Sequence, residues 1–142
     1  MSILSIPTII TEQYPKGLGK TVIELINSVE NGTPIVEKTS FSALKEENFK
    51  SLFNTTAKKQ ILLCGIETHI CVLQTALELL REGYEVFIIE DCCSSRFEKE
   101  HQTAIQLMKQ YDIKILSTEI VLFELLKSSK HEKFKEIQAL IK

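Results

Sequence analysis

Three apolar runs in the second half of the chain, each followed by a helical pattern, most constrain the fold. The runs cover residues 60–65, 84–90 and 113–116, and apolar side chains occur at successive positions in each. Between them, residues 68–81 and 97–111 carry apolar side chains at helical spacing. Strands that are buried on both faces and alternate with helices predict a parallel sheet with helices on both sides.

The first half repeats this order with shorter elements. Its predicted elements are strands at 6–10 and 33–38 and helices at 20–29 and 42–53. A chain of 142 residues is enough for one domain, so residues 1–142 are predicted to form a single domain. Ligands of such sheets bind at the carboxyl ends of the strands. The loops predicted at that edge are 11–19, 38–42, 65–71 and 91–96.

The charge and hydropathy of the chain bear on which classes of binding partner to expect. Seventeen basic and nineteen acidic residues give a net charge of −2, which predicts no nucleic-acid partner. No apolar run approaches the ~20 residues of a membrane span, and residues 1–7 lack the pattern of a signal peptide. We therefore expect a cytoplasmic protein with a small-molecule substrate and no membrane partner.

The chain has four cysteines, and their spacing does not resemble the framework of a small secreted domain. They are Cys64, Cys71, Cys92 and Cys93. We expect free thiols, because two of them are adjacent and the compartment is reducing. Neither these cysteines nor the three histidines have the spacing of a metal site, so we predict no metal and no cofactor. A redox or metal protein remains the least favoured alternative.

Cys71 lies where a buried strand gives way to a helix. Free N–H groups and the helix dipole favour a thiolate there, although a small residue that only packs the helix fits the same position. Lys38 directly follows another strand and would reach the same edge, where a cation lowers a thiol pKa. His69 lies two residues before Cys71, which is the wrong helical spacing for a Cys–His pair. Asp91 fits equally a strand end with a helix cap and a pocket wall.

The segment 64–72, Cys-Gly-Ile-Glu-Thr-His-Ile-Cys-Val, resembles the isochorismatase-like cysteine hydrolases, in particular the isochorismatase domain-containing proteins. Further matching segments are 11–19, 37–42, 73–77, 91–96, 121–126 and 130–131. The resemblance implies a three-layer α/β/α, doubly wound fold with a six-stranded parallel sheet in the order 3-2-1-4-5-6. It also implies assembly into homo-oligomers.

The resemblance further implies an Asp–Lys–Cys triad, with Cys71 as nucleophile and Lys38 as its cationic partner. It implies an oxyanion hole from backbone N–H groups at Ile70 and Cys71, and a cis peptide bond between Ile66 and Glu67. The candidate pocket residues are Glu12, Tyr14, Phe41, His69 and Asp91.

The family's catalytic aspartate has no counterpart here, because residues 1–5 lead directly into the segment that matches the second strand. We therefore expect an N-terminally truncated domain that lacks the first, central strand. The chain could be inactive or poorly folded, the second and fourth strands could pair directly, or another chain could donate the strand. The two functions expected are hydrolysis of a small amide- or ester-like metabolite by Cys71 and, alternatively, an inactive scaffold or interaction protein.

Overall fold

The computed structural model describes residues 2–141, which form five strands with helices on both sides. The strands are β1 (Ile10–Gln13), β2 (Ile35–Lys38), β3 (Gln60–Ile66), β4 (Glu85–Ser94) and β5 (Lys114–Leu116). The helices are α1 (Pro15–Leu18), α2 (Ile23–Ser28), α3 (Glu47–Thr55), α4 (Leu73–Arg81), α5 (Glu98–Gln110), α6 (Thr118–Leu126) and α7 (Phe134–Gln138). Short 3-10 turns cover Ser2–Leu4 and Ala43–Lys45, and a π-helical turn covers Thr68–Val72.

The strands form two parallel sheets instead of one. One sheet is β1–β2, the other is β3–β4–β5, and every pair of neighbours is parallel. These orders correspond to 3-2 and 4-5-6 of the expected sheet. Across residues 2–141, no ladder joins β1 to β3, so the expected alternative of direct pairing between these two strands is wrong. The predicted mixed α/β fold with parallel strands is confirmed.

The main core lies between the three-stranded sheet and helices α3, α4 and α5. Ala76, Val86, Ile88 and Met108 are completely buried, and Leu79 is almost so. Burying each large apolar side chain contributes roughly 1.5–3 kcal/mol, so this cluster supplies much of the folding free energy. It holds the end of β3 and the start of α4 together at the sheet edge where Cys71 lies. Within the described chain, no helix has the length and hydropathy needed to cross a membrane.

Two strand boundaries differ from those predicted. Strand β1 covers Ile10–Gln13 instead of 6–10, because its extent is set by pairing with β2 from Ile10 opposite Ile35 onward. Strand β4 runs on to Ser94, through residues predicted as a loop, because Cys93 pairs with Gly65 after a bulge in the ladder. Gly65 has φ +117° at that bulge, a conformation that side-chain-bearing residues rarely adopt.

Candidate active site

Lys38, the last residue of β2, is a buried cation whose three protons all have acceptors. Its side chain is among the buried polar groups, and Nζ donates to the carbonyl oxygens of Ser40 and Phe41, both at 2.9 Å. The third bond, at 2.5 Å, goes to Oε1 of Gln13. All three acceptors are neutral, so backbone and amide dipoles hold this ammonium without a carboxylate.

Gln13 connects Lys38 to Cys71. It is the register partner of Lys38 in the β1–β2 ladder, so the two side chains lie on the same face of the sheet. Its Nε2 donates to the carbonyl of Thr39 at 2.8 Å, which directs Oε1 towards the site. The same Oε1 that accepts from Lys38 lies 3.8 Å from Sγ of Cys71 and accepts the thiol hydrogen. One amide oxygen therefore contacts both residues of the predicted catalytic pair.

Cys71 is half-buried in the π-helical turn, and buried side chains fasten this turn to the neighbouring elements. Thr68 is fully buried, and its hydroxyl donates to the carbonyl of Ser94 at 2.9 Å. The same oxygen lies 2.9 Å from Nδ1 of His101 in α5, and because its only hydrogen is already committed, Nδ1 is the donor. The turn that carries the thiol is thus held against β4 and α5.

His69 and Glu67 add a second set of contacts to the same turn. Nδ1 of His69 lies 2.9 Å from Oγ of Ser95. The Glu67 carboxylate accepts the backbone N–H of Arg96 at 3.1 Å and lies 3.6 Å from the Arg96 guanidinium. His69, predicted as a pocket residue, therefore contacts the loop after β4 and is 3.7 Å from Glu67.

The Ile66–Glu67 peptide bond is cis, at the position that the resemblance implies. The backbone N–H of Ile70 donates to the carbonyl of Glu67 at 3.1 Å, so this group is already engaged within the turn. The oxyanion hole at Ile70 and Cys71 stays a prediction. Cys71 is the fourth residue of the π-helical turn and lies two residues before the start of α4, where the dipole of that helix favours negative charge.

Glu12 and Asp91, two of the predicted pocket residues, form their hydrogen bonds with Thr21 and Thr118 and not with Lys38 or Cys71. Glu12 is buried on the face of β1 opposite to Gln13, and its Oε1 accepts the N–H of Thr21 at 2.7 Å. This hydrogen bond lowers the pKa of the Glu12 carboxyl. Asp91 accepts the N–H of Thr118 at 2.8 Å and its hydroxyl at 3.0 Å, which stabilises the start of α6.

Tyr14 and Phe41 lie beside Lys38 in different ways. Tyr14 has a left-handed backbone conformation and is 54% exposed at the rim of a cavity of about 320 Å³. The other residues of that cavity are Pro15, Lys16, Glu37, Lys38, Thr39 and Glu46. Phe41 gives its carbonyl to Lys38 while its ring is 51% exposed.

The remaining cysteines differ from Cys71. All four are free, as the sequence predicts. Burial raises the pKa of Cys93 to about 12, so this thiol is protonated at neutral pH. Cys92 contacts the hydroxyl of Thr118 at 3.1 Å, and Cys64 is exposed on β3. Of the four thiols, Cys71 is the one in contact with Gln13. In residues 2–141, no three metal-ligating side chains lie close enough together to hold an ion.

The profile of the Isochorismatase domain family matches residues 1–120. The chain belongs to the isochorismatase family. It is 45% identical to isochorismatase domain-containing protein 2 of Xenopus laevis over 139 residues, which cover 97% of this chain and 66% of that protein. It is 40% identical to isochorismatase domain-containing protein 1 of Danio rerio, over 99% of this chain and 49% of the relative.

Solved structures give the same result for the fold. The structure of MAR1 ribonuclease from Caenorhabditis elegans superposes with a TM-score of 0.91 at 42% identity, over 98% of this chain and 71% of that one. The fold and the family are those of isochorismatase-like hydrolases. The chain spans between about half and two thirds of the length of the curated relatives named here.

Proposed function

We propose that this domain is a cysteine hydrolase that acts on a small amide- or ester-like metabolite, with Cys71 as nucleophile and Lys38 as its electrostatic partner. The observation that supports this most directly is Oε1 of Gln13, which contacts Lys38 Nζ at 2.5 Å and Cys71 Sγ at 3.8 Å. A cation and a thiol that share one acceptor are close enough for the cation to stabilise a thiolate.

In the proposed reaction, the Cys71 thiolate forms a bond to the carbonyl carbon and the C=O electron pair moves to oxygen. The N–H of Cys71, in place of that of Ile70, stabilises this oxyanion. The C–N or C–O bond then breaks, and the amine or alcohol leaves with the proton that the thiol gave up. Water hydrolyses the resulting thioester, which releases the acid and returns the thiol.

One part of this chemistry is missing from the described residues. Within residues 2–141, no carboxylate forms a hydrogen bond or ion pair with Lys38 or Cys71. The Gln13 amide is not a base at neutral pH, so it orients the thiol hydrogen but cannot remove it. A general base typically contributes about 10²–10⁴-fold, so we expect slow turnover from these residues alone and treat thiol reactivity as the more sensitive test.

A second activity is suggested by the name of one relative, the C. elegans ribonuclease. Phosphate backbones bind to basic surfaces, and this chain has a net charge of −2. We therefore favour a small neutral or anionic metabolite over RNA. Incubation with labelled single-stranded RNA distinguishes the two, since cleavage that is lost in Cys71→Ser would favour the nuclease.

The experiment that tests the proposal is the rate of Cys71 alkylation by iodoacetamide at pH 7, in the natural protein and in Lys38→Met. Tandem mass spectrometry must locate the label, because Cys64 and Cys71 share one tryptic peptide. We expect Cys71 to react more slowly in Lys38→Met, because the ammonium no longer stabilises the thiolate. Cys93 serves as the internal control and should react little in both proteins, because its pKa is about 12. Equal rates of Cys71 alkylation in the natural protein and in folded Lys38→Met would refute the activated nucleophile and favour the inactive scaffold.

We also propose that the chain self-associates. Several apolar side chains near α2 are exposed, including Leu18 at 73% and Ile23 at 63%. Clustered exposed apolar surface is typical of protein interfaces. Light scattering after size-exclusion chromatography should give more than the 16.2 kDa of one chain, and a monomer at all concentrations would refute this.

A further inference from the structure

In the loop after β2, residues 39–41, the backbone carbonyls face the site and the N–H groups of Thr39 and Ser40 face away from it. On the inner side, the carbonyl of Thr39 accepts from Gln13, and the carbonyls of Ser40 and Phe41 accept from Lys38. On the outer side, the N–H groups of Thr39 and Ser40 donate to one oxygen of Glu46, at 3.1 and 3.0 Å. The three carbonyls that accept from Gln13 and Lys38 thus belong to a loop whose opposite side is bound by a single carboxylate.

Peptide geometry couples the hydrogen bond of Glu46 to the orientation of the Thr39 carbonyl. The carbonyl of Thr39 and the N–H of Ser40 belong to one planar trans peptide, so they point in opposite directions. While Glu46 holds the Ser40 N–H, the Thr39 carbonyl must face Gln13. If that peptide rotated, Gln13 would lose the bond that directs its Oε1 towards Lys38 and Cys71.

We propose that Glu46 is a positioning residue for Lys38 and Gln13, acting through the Thr39–Phe41 loop. This inference rests on the proposed function, because it gives Glu46 a purpose only if Lys38 and Cys71 act together. Glu46 touches neither residue by hydrogen bond and is not a catalytic residue. It fixes the acceptors that keep the Lys38 ammonium beside the thiol.

The ionisation of Glu46 strengthens its hydrogen bonds to the loop. The hydrogen bonds from Ser40 and Thr39 lower the pKa of the Glu46 carboxyl, so it is ionised at neutral pH. Bonds from N–H groups to an ionised carboxylate are about twice as strong as bonds to a neutral acceptor. A carboxylate near Lys38 could also act simply through its charge, and this is the alternative that an experiment must separate.

Four variants separate position from charge. Glu46→Gln keeps an acceptor oxygen and loses the charge, Glu46→Asp keeps the charge and shortens the reach, and Glu46→Ala loses both. The matched control is Glu47→Gln, since Glu47 does not accept a hydrogen bond from the loop and is exposed at the start of α3. Circular dichroism and thermal melting identify variants that no longer fold.

The primary readout is acylation of Lys38 by acetic anhydride, measured by peptide mass spectrometry, because it does not depend on Cys71. Loss of a charge-assisted hold on the loop predicts a rise of about tenfold in Glu46→Ala. Glu46→Asp should show a smaller rise, while Glu46→Gln stays within about threefold and Glu47→Gln is unchanged. If only charge mattered, Glu46→Asp would match the natural protein and Glu46→Gln would match Glu46→Ala, which would overturn the proposal.

The rate of Cys71 alkylation at pH 7 in the same variants provides the second readout. We expect this rate to fall in Glu46→Ala and to change little in Glu46→Gln. A purely electrostatic effect has the opposite sign, because removing a nearby negative charge favours a thiolate and speeds alkylation. Unchanged Lys38 acylation in folded Glu46→Ala and Glu46→Asp overturns the role of Glu46, whereas equal Cys71 alkylation in the natural protein and in folded Lys38→Met overturns the proposed function.

Discussion

Replacing Thr68 with valine tests how the nucleophile turn is held, because it removes one hydroxyl and leaves the shape almost unchanged. Thr68 is 0% exposed, and its hydroxyl serves both the Ser94 carbonyl and Nδ1 of His101 at 2.9 Å. A buried polar group left without a partner costs about 1–3 kcal/mol. Ser94 is exposed and can turn to water, so the cost comes mainly from His101 and should lie near the middle of that range.

The assay is urea unfolding followed by circular dichroism. With an m value of roughly 1–3 kcal/mol/M for a small domain, the expected loss lowers the midpoint by about 1 M. Thr68→Ser is the matched control, since it keeps the hydroxyl and loses one methyl group, at a cost of about 0.5–1.5 kcal/mol. The double variant with His101→Ala should lose less than the sum of the single variants, because the two side chains are in contact.

The hydrogen bonds would be shown to contribute nothing if Thr68→Val unfolded at the same urea concentration as the natural protein. A larger loss in Thr68→Ser than in Thr68→Val would also contradict the argument, since packing would then outweigh the hydroxyl. In either case the turn would be held by its apolar neighbours alone.

Three further predictions follow from the same structure. Leu79→Ala should lower the free energy of unfolding by about 2–5 kcal/mol, because Leu79 is 1% exposed in the core, and a loss below 1 kcal/mol in urea unfolding would contradict this. Asp91→Ala should cost about 0.5–2 kcal/mol through loss of the hydrogen bonds from Thr118 at the start of α6, without altering Cys71 alkylation. Stability should decrease as the pH falls below about 4.5, because hydrogen bonds from Lys45 and Ser42 outweigh desolvation and lower the pKa of Glu78, and Thr21 lowers that of Glu12. These carboxyls have lower pKa values folded than unfolded, so protonation favours unfolding, and urea midpoints that rise towards pH 3.5 would show that the sign is wrong.

The elements of the second half were predictable because the pattern of their apolar residues is local. Residues 61–66 and 86–89 are free of polar side chains, and α4 and α5 carry apolar side chains at helical spacing. Strand ends were less accessible. The pairing of Cys93 with Gly65 extends β4 beyond its apolar part, and a polar residue gives no periodic signal of its partner on another strand.

The site divides in the same way. Cys71 and Lys38 could be identified from their positions at strand ends and from the motif around Cys71. Gln13 could not be identified, because the hydrogen bond that gives it a role joins residues 58 positions apart. The sequence pointed instead to its neighbour Glu12, which carries a carboxylate but binds Thr21. Glu46 was missed for a related reason. Its partners are backbone N–H groups of a loop, and any loop residue supplies such groups regardless of its side chain.

The sequence by itself determined the fold class, the four free thiols and the two residues proposed to react. Apolar periodicity and motif spacing are local properties, and the hydrophobic effect converts them into buried strands and helices without further information. Tertiary structure alone decided that β1–β2 and β3–β4–β5 form two separate ladders in residues 2–141, and that Gln13 is the group between Lys38 and Cys71. A hydrogen bond requires a donor–acceptor distance within a few tenths of an ångström and a nearly linear angle. Its partners are therefore decided only when the elements are packed.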